Sequence, residues 1–435
     1  MTLIDLGELT EPTDPEPPRR RRPPSNRRLV AGLVALVALL TVAGAAPPTA
    51  RVHAIVPAGP GSEMLLTADQ LFTVAPIPEA TDGSQELVAY PRPTHTTVTP
   101  QRLVPLWRMP VPTGHAVLQA KSVDDLGVLV STAPRHTVGP TDSTETMLLD
   151  IRTGQQRWRA PGFAILDGSG RVLLRRFATE EPVTLGAVEL PSGRELWSTS
   201  LPAESRTTFH KRDGMIDAIV VPTAAGEVEV LDSETGAVRH RLPALDDEPT
   251  GSRNAFLAGD LVLVIRNSTT VTAYDLDGLV QRWQATVPLA IFVTPCGALL
   301  CVRSNDGVHL LDPDTGAVQG STEDDVLLVG NERALAITNR SSGSLNVVAI
   351  DPATGKELTD YGIWDLVTRY EYLPHVLGVR TLPNVGLLVA RLDPAEPGPR
   401  GVDVLTGATG GCETGYDLIV CRQRDGSFGV WKLRD

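Results

Sequence analysis

Val228-Glu-Val-Leu-Asp232-Ser-Glu-Thr-Gly236 reads as an alternating strand that runs into a tight corner, and the chain repeats this pattern. The motif apolar–apolar–Asp-x-x-Thr-Gly recurs as Asp150-Ile-Arg-Thr-Gly154 with Trp158, and as Glu189-Leu-Pro-Ser-Gly193 with Trp197. It returns as Asp275-Leu-Asp-Gly278, one residue shorter, with Trp283. Asp312-Pro-Asp-Thr-Gly316, Asp351-Pro-Ala-Thr-Gly355 and Asp403-Val-Leu-Thr-Gly407 complete the series. The residue types suit a hairpin corner. The carboxylate can accept backbone N–H groups of the turn, Pro presets φ, and Gly supplies a left-handed position. The Trp residues at 107, 158, 197 and 283 are expected to pack between neighbouring units, whereas His240, Gly320, Thr359 and Gly411 hold that position in other repeats.

Successive corners lie 39, 43, 43, 37, 39 and 52 residues apart, the length of a four-stranded propeller blade. Seven corners give seven blades. The strands Tyr416-Asp-Leu-Ile-Val-Cys421 and Phe428-Gly-Val-Trp-Lys432 lack an outer partner, and the stretch around Trp107 is an orphan outer strand. Joining them predicts an all-β, eight-bladed propeller closed by its chain ends, with seven blades as the alternative. Residues 64–74 and 86–90 also read as strands and would move the seam.

Ahead of the repeats, residues 29–46 carry no charge, and Arg19 to Arg22, Arg27 and Arg28 precede them. This pattern predicts a transmembrane signal-anchor helix with residues 1–28 as a disordered cytoplasmic tail. Ala43-Gly44-Ala45 leaves open a cleaved signal peptide instead. Residues 47–62, rich in Pro and Gly, read as a stalk, and residues 63–435 as the propeller. The expected location is the plasma membrane, single-pass, with the propeller outside, and residues 1–17 could engage a cytoplasmic partner. The net charge of −13 argues against nucleic acid as a partner.

Cys296, Cys301, Cys412 and Cys421 fall on the exported side of that topology, and each local pair spans one hairpin. Bridges 296–301 and 412–421 are therefore expected, as staples. No G-x-S-x-G, H-E-x-x-H or G-x-x-x-x-G-K-[ST] motif occurs, and no two His stand four residues apart. No catalytic, cofactor or metal residue is assigned.

The repeat Asp-x-x-Thr-Gly-x-x-x-Trp resembles that of the PQQ-binding-like β-propellers, over about residues 103 to 435. That family includes quinoprotein alcohol dehydrogenases and the scaffold lipoprotein of the outer-membrane barrel-assembly machinery. The dehydrogenases clamp their quinone with a vicinal disulfide and a calcium ion, and this chain has no adjacent cysteines. The resemblance is specific to the fold and says little about function; the apolar run and the absent motifs add the expectation of a membrane-anchored bacterial member that is not an enzyme and holds no cofactor. It would bind or scaffold an envelope protein or small ligand through its loops. The alternatives are a ligand sensor that signals through the tail and a PQQ-dependent oxidoreductase.

Overall fold

A strand covered on both faces has no solvent side, so its sequence runs apolar without alternation. Val262, Leu263, Val264 and Ile265 form such a run and are fully buried. Runs of this kind make the middle strands of antiparallel sheets stacked face to face. The computed structural model describes residues 51–435, apart from residues 78–79, 81–82, 124–125, 136–140, 142, 178–182, 202–206, 224–225, 245–253, 331–332, 340–344, 368–375 and 434–435. The described residues contain no α-helix.

Among the described residues nine sheets follow one another around a β-propeller. Blade 1 spans residues 63–110, blade 2 residues 115–161, blade 3 residues 163–201, blade 4 residues 208–242 and blade 5 residues 254–286. Blade 6 spans residues 290–322, blade 7 residues 325–363 and blade 8 residues 365–406. Blade 9 combines Ala408–Gly415, Leu418–Gln423 and Phe428–Lys432 with the N-terminal strand Arg51–Val56. In blades 1 to 8 the four strands follow chain order across the sheet, and the Asp-x-x-Thr-Gly corners, where present, join the third strand to the fourth, the outer strand.

The core is divided among the blade interfaces. One cluster fills each interface from blades 1 and 2, where Phe72, Leu87, Val128 and Leu149 meet, to blades 8 and 9, where Val389 and Leu405 meet Ile419 and Trp431. Another joins Val56 and Val430 of blade 9 to Leu71 and Val88 of blade 1, and so closes the ring.

The blade number corrects the expectation of eight, or seven. Residues 63–110 form a complete blade, but its corner is expanded to residues 92–106 and carries no Asp-x-x-Thr-Gly, so counting corners passes over it. The seam is corrected with it. Trp107–Pro110 pairs with Gln85–Pro91 as the outer strand of blade 1. Phe428–Lys432 pairs instead with Arg51–Val56, in the register His53–Trp431 and Val56–Phe428. The segment read as a stalk therefore contains a propeller strand. Its alternation of Val52, Ala54 and Val56 toward the core identifies it as one.

Asp403 and Gly407 also need correction. Asp403 lies inside the outer strand Arg400–Thr406 of blade 8, and Gly407 leads into blade 9. The corner of blade 8 starts at Asp393, whose carboxylate accepts the Ala395 N–H at 2.8 Å. There Glu396-Pro397-Gly398 replaces the usual Thr-Gly ending. Asp393 follows Asp351 by 42 residues, so the irregular spacing of 52 marked a misassigned corner.

The single-pass plasma-membrane location is likewise corrected. Among the described residues no helix is long and apolar enough to cross a membrane. The run 29–46, the tail 1–28 and the tail segment 1–17 all lie outside the described residues.

Candidate functional site

Each corner is held by its own carboxylate. One oxygen of Asp232 accepts the N–H groups of Glu234 and Thr235 at 2.9 and 2.8 Å and the Thr235 hydroxyl at 2.9 Å. Asp150 and Asp312 repeat the arrangement. Asp351 accepts the N–H groups of Ala353 and Thr354. The threonine hydroxyl in turn accepts the N–H beyond the glycine, as Ala237 to Thr235 at 3.3 Å. Arg157 adds an ion pair to Asp150 at 2.6 Å. That guanidinium, with the turn donors, holds the Asp150 carboxyl down at about 2.

The tryptophans dock on the corner of the following blade. Indole N–H groups of Trp107, Trp158, Trp197 and Trp283 donate to the carbonyls of Ile151, Leu190, Ser233 and Pro313, at 2.9, 2.6, 3.2 and 2.8 Å. Each acceptor directly follows the Asp or Glu of the next corner. The ring lies against the corner glycine. A Cβ at Gly154 would stand 2.6 Å from the Trp107 ring, and at Gly316 2.4 Å from Trp283. Glycine is required here by this contact as well as by its left-handed φ of 69° at residue 154.

In two places where the tryptophan is missing, the next corner departs from the pattern. Blade 4 carries His240, and the corner of blade 5 it faces places Leu279, not Gly278, in the left-handed position, at φ 52°. Gly278 occupies the threonine position, its N–H donating to Asp275 at 2.9 Å. This corner is therefore of full length, and Trp283 keeps its usual offset from the left-handed residue. Blade 7 substitutes Tyr361, whose hydroxyl donates to the carbonyls of Asp393 and Glu396 at 3.2 and 2.7 Å.

Between blades 6 and 7 neither device is used. Gly320 stands at the tryptophan position, and a Cβ there would lie 1.9 Å from the Pro352 carbonyl oxygen. Beside it opens a cavity of about 310 Å³ lined by Ala298, Leu299, Gln319, Val329, Pro352 and Ala353. Ala298 and Leu299 belong to the hairpin loop bridged by Cys296–Cys301. The Cys296 carbonyl accepts the Val329 N–H at 2.6 Å, which fixes that loop to blade 7. The other bridge, Cys412–Cys421, joins the first two strands of blade 9.

Two polar clasps escaped sequence reading, because their partners are far apart in the chain. His210, nearly buried in blade 4, sets one ring nitrogen against Asp217 and the other 3.1 Å from Asp260 of blade 5. Arg212 reaches Asp277 of the same blade at 3.4 Å. At the seam, Arg51 pairs with Asp403 at 2.9 Å, and the Asp403 side chain is only 3% exposed. His53 stacks on Trp431 with ring centroids 5.0 Å apart. Burial, then the adjacent Arg51 cation, push its imidazole down to about 4, against the opposing pull of Asp403.

The donor set does not fit a quinone clamp. The two bridges lie in different blades and join residues 5 and 9 positions apart, so no vicinal disulfide can form a flat platform. Among the described residues, no group of three or more His, Cys, Asp or Glu side chains is arranged to hold a metal ion.

Corner carboxylates with tryptophans docked from the preceding blade define a β-propeller of PQQ-like repeats. The family model described as outer membrane protein assembly factor BamB matches residues 144–294, and over that stretch the repeats are similar to those of the PQQ-like β-propellers. Among solved structures, BamB from Moraxella catarrhalis is similar at 16% identity and a TM-score of 0.40, over 73% of this chain and 98% of that one. Sqt1 of Saccharomyces cerevisiae is similar at 13% identity and a TM-score of 0.43, over 89% and 97%. The computationally designed protein Ika8 is similar at 12% identity and a TM-score of 0.41, over 88% and 100%. No curated protein matches the chain.

Proposed function

We propose that this chain is a non-catalytic binding and scaffolding module that presents propeller surfaces to a protein partner of the cell envelope. The observation that carries the reading is the match of residues 144–294 to a family described as an outer-membrane assembly factor. The local chemistry agrees with it. The corner carboxylates are engaged by turn N–H groups, and the indole N–H groups by corner carbonyls, so these polar groups serve blade-to-blade docking. Function is then carried by surface shape and by the grooves between blades.

The test is in-cell cross-linking of the full-length chain through a photoreactive residue placed at exposed positions, followed by mass spectrometry. A small set of envelope proteins, cross-linked reproducibly to one side of the propeller, is the expected outcome. Dye-linked alcohol oxidation by the purified chain on addition of PQQ and Ca²⁺ would overturn the non-catalytic reading.

A further inference from the structure

A short terminal strand keeps its place only through the neighbours it pairs with. Arg51–Val56 is such a strand: it lies in blade 9, while the chain that follows it, residues 57–62, leads into blade 1. That connection reads Pro-Ala-Gly-Pro-Gly-Ser, a composition suited to a hinge. Every copy of the chain carries the same strand and the same edge beside Phe428–Lys432 to receive it. Exchange of the strand between copies is therefore the hazard built into this closure.

The expanded corner of blade 1 closes on that strand. Where Asp232 to Gly236 turns in five residues, residues 92–106 make an excursion to blade 9. The pairing of Phe428–Lys432 with the N-terminal strand takes in residues 53–56. Arg51 and Val52 lie beyond that register, and Thr97 and Thr96 pair with them from the other edge. Gln101 and Arg102 then run parallel beside Ala54 and Ile55, and the Leu103 N–H donates to the Ile55 carbonyl at 2.8 Å. The Leu103 side chain is buried against the apolar residues of blade 9, in the cluster that holds Leu418, Phe428 and Val430. Arg92 donates to the Ala68 carbonyl of blade 1 at 2.8 Å and also engages the Tyr416 carbonyl and the Asp417 carboxylate of blade 9. The Tyr90 hydroxyl donates to the Pro57 carbonyl at 3.1 Å and so fastens the hinge itself. Pro93, Pro100 and Pro105 stiffen the excursion, so little entropy is lost in keeping it closed.

We propose that residues 92–106 are a latch that keeps Arg51–Val56 on its own ring, and that opening the latch lets the strand exchange between copies of the chain. Hinge and latch both belong to blade 1, so strand, hinge and latch make a clip, and Arg92 and Leu103 fasten that clip to blade 9. To leave, the strand must break its pairs with Phe428–Lys432 and with the latch together. Without the latch it breaks only the first set, and the vacated edge accepts the identical strand of another copy.

The test compares the full-length chain with a variant whose blade 1 corner is rebuilt short: Pro91→Asp, with residues 92–103 replaced by Ser-Glu-Thr-Gly, the sequence at 233–236. Both carry Ala54→Cys and Val430→Cys, which are register partners, so the bond they form records whose strand lies beside whose sheet. In the latched chain the bond is expected within one chain, and the protein stays monomeric on a non-reducing gel. The rebuilt variant should give bonds between chains. Hydrogen exchange at residues 52–56 should speed by about tenfold or more, while that of blades 3 to 5 stays as it was. Dimers whose bond remains within each chain are pairs formed edge to edge, and they would overturn the latch. So would a monomer with unchanged exchange at 52–56, or a rise spread evenly over all blades. If the rebuilt corner does not fold, Arg92→Ala with Leu103→Ala decides by the same exchange measurement, and unchanged protection at 52–56 then overturns the proposal.

Discussion

At the scale of single residues, corner glycines and docked tryptophans are coupled, and the coupling can be measured. Gly316→Ala adds a methyl carbon 2.4 Å from the Trp283 ring at a left-handed position. It should cost about 2–3 kcal/mol, read by urea unfolding. With Trp283→Leu already present, only backbone strain remains and the cost should fall to about 1 kcal/mol. Equal costs in both backgrounds would show that the ring does not impose the glycine. His53 makes a second prediction. Its imidazole is lowered from its usual 6.5 to about 4 in the folded state, so the unfolded chain binds the proton more readily. The contribution is intact above pH 6.5, is lost as pH falls toward 4, and changes no further below. The loss should be about 1–3 kcal/mol, allowing for partial solvent screening. His53→Gln should flatten that part of the stability profile relative to the parent, and an unchanged slope would refute the assignment.

At the scale of elements, one ion pair links the outer strands of blades 8 and 9. Arg51 in Arg51–Val56 meets Asp403 in Arg400–Thr406, with the carboxylate almost fully buried. Asp403→Ala leaves a half-buried guanidinium without its counter-charge and should destabilise by about 3 kcal/mol. Replacing both partners, Arg51→Met with Asp403→Leu, should recover most of that loss, because two apolar groups leave no charge to desolvate. Chemical denaturation of the two variants checks this. A double variant no better than Asp403→Ala would mean that the pair contributes through geometry and not charge.

At the scale of the whole molecule, ring closure is non-covalent and needs both chain ends. Val52, Ala54 and Val56 bury themselves beside Leu418, Val420, Phe428 and Val430, and this cluster continues into blade 1. Deleting residues 1–57 removes the outer strand of blade 9 and the edge to which Thr96–Thr97 and Gln101–Arg102 pair. Each lost valine forfeits about 1.5–3 kcal/mol, and the exposed sheet edge favours association. The truncated chain should therefore be cut rapidly by proteases and elute as aggregates in size-exclusion chromatography. Cooperative melting at the temperature of the full chain would refute this seam.

Much of this was legible because it is local. Asp150 to Gly154 needs only its own five residues to form a corner, and the repeat spacing predicts four strands to a blade. Cys296 and Cys301 lie in one hairpin, as do Cys412 and Cys421, so their pairing depended on local chain geometry alone. Other features were decided by contacts between blades. Trp107, Trp158, Trp197 and Trp283 each dock on the corner of the next blade, and which corner a tryptophan meets is known only once the blades are stacked. Blade 1 has an outer corner without the motif, and Arg51–Val56 looks like a linker until Phe428–Lys432 lies beside it. A short strand gains its stability from the sheet it joins, so its own residues could not announce it. The sequence by itself determined the repeat and the corners that carry the full motif, because each forms from its own five residues, while packing around a closed ring decided the number of blades and the seam.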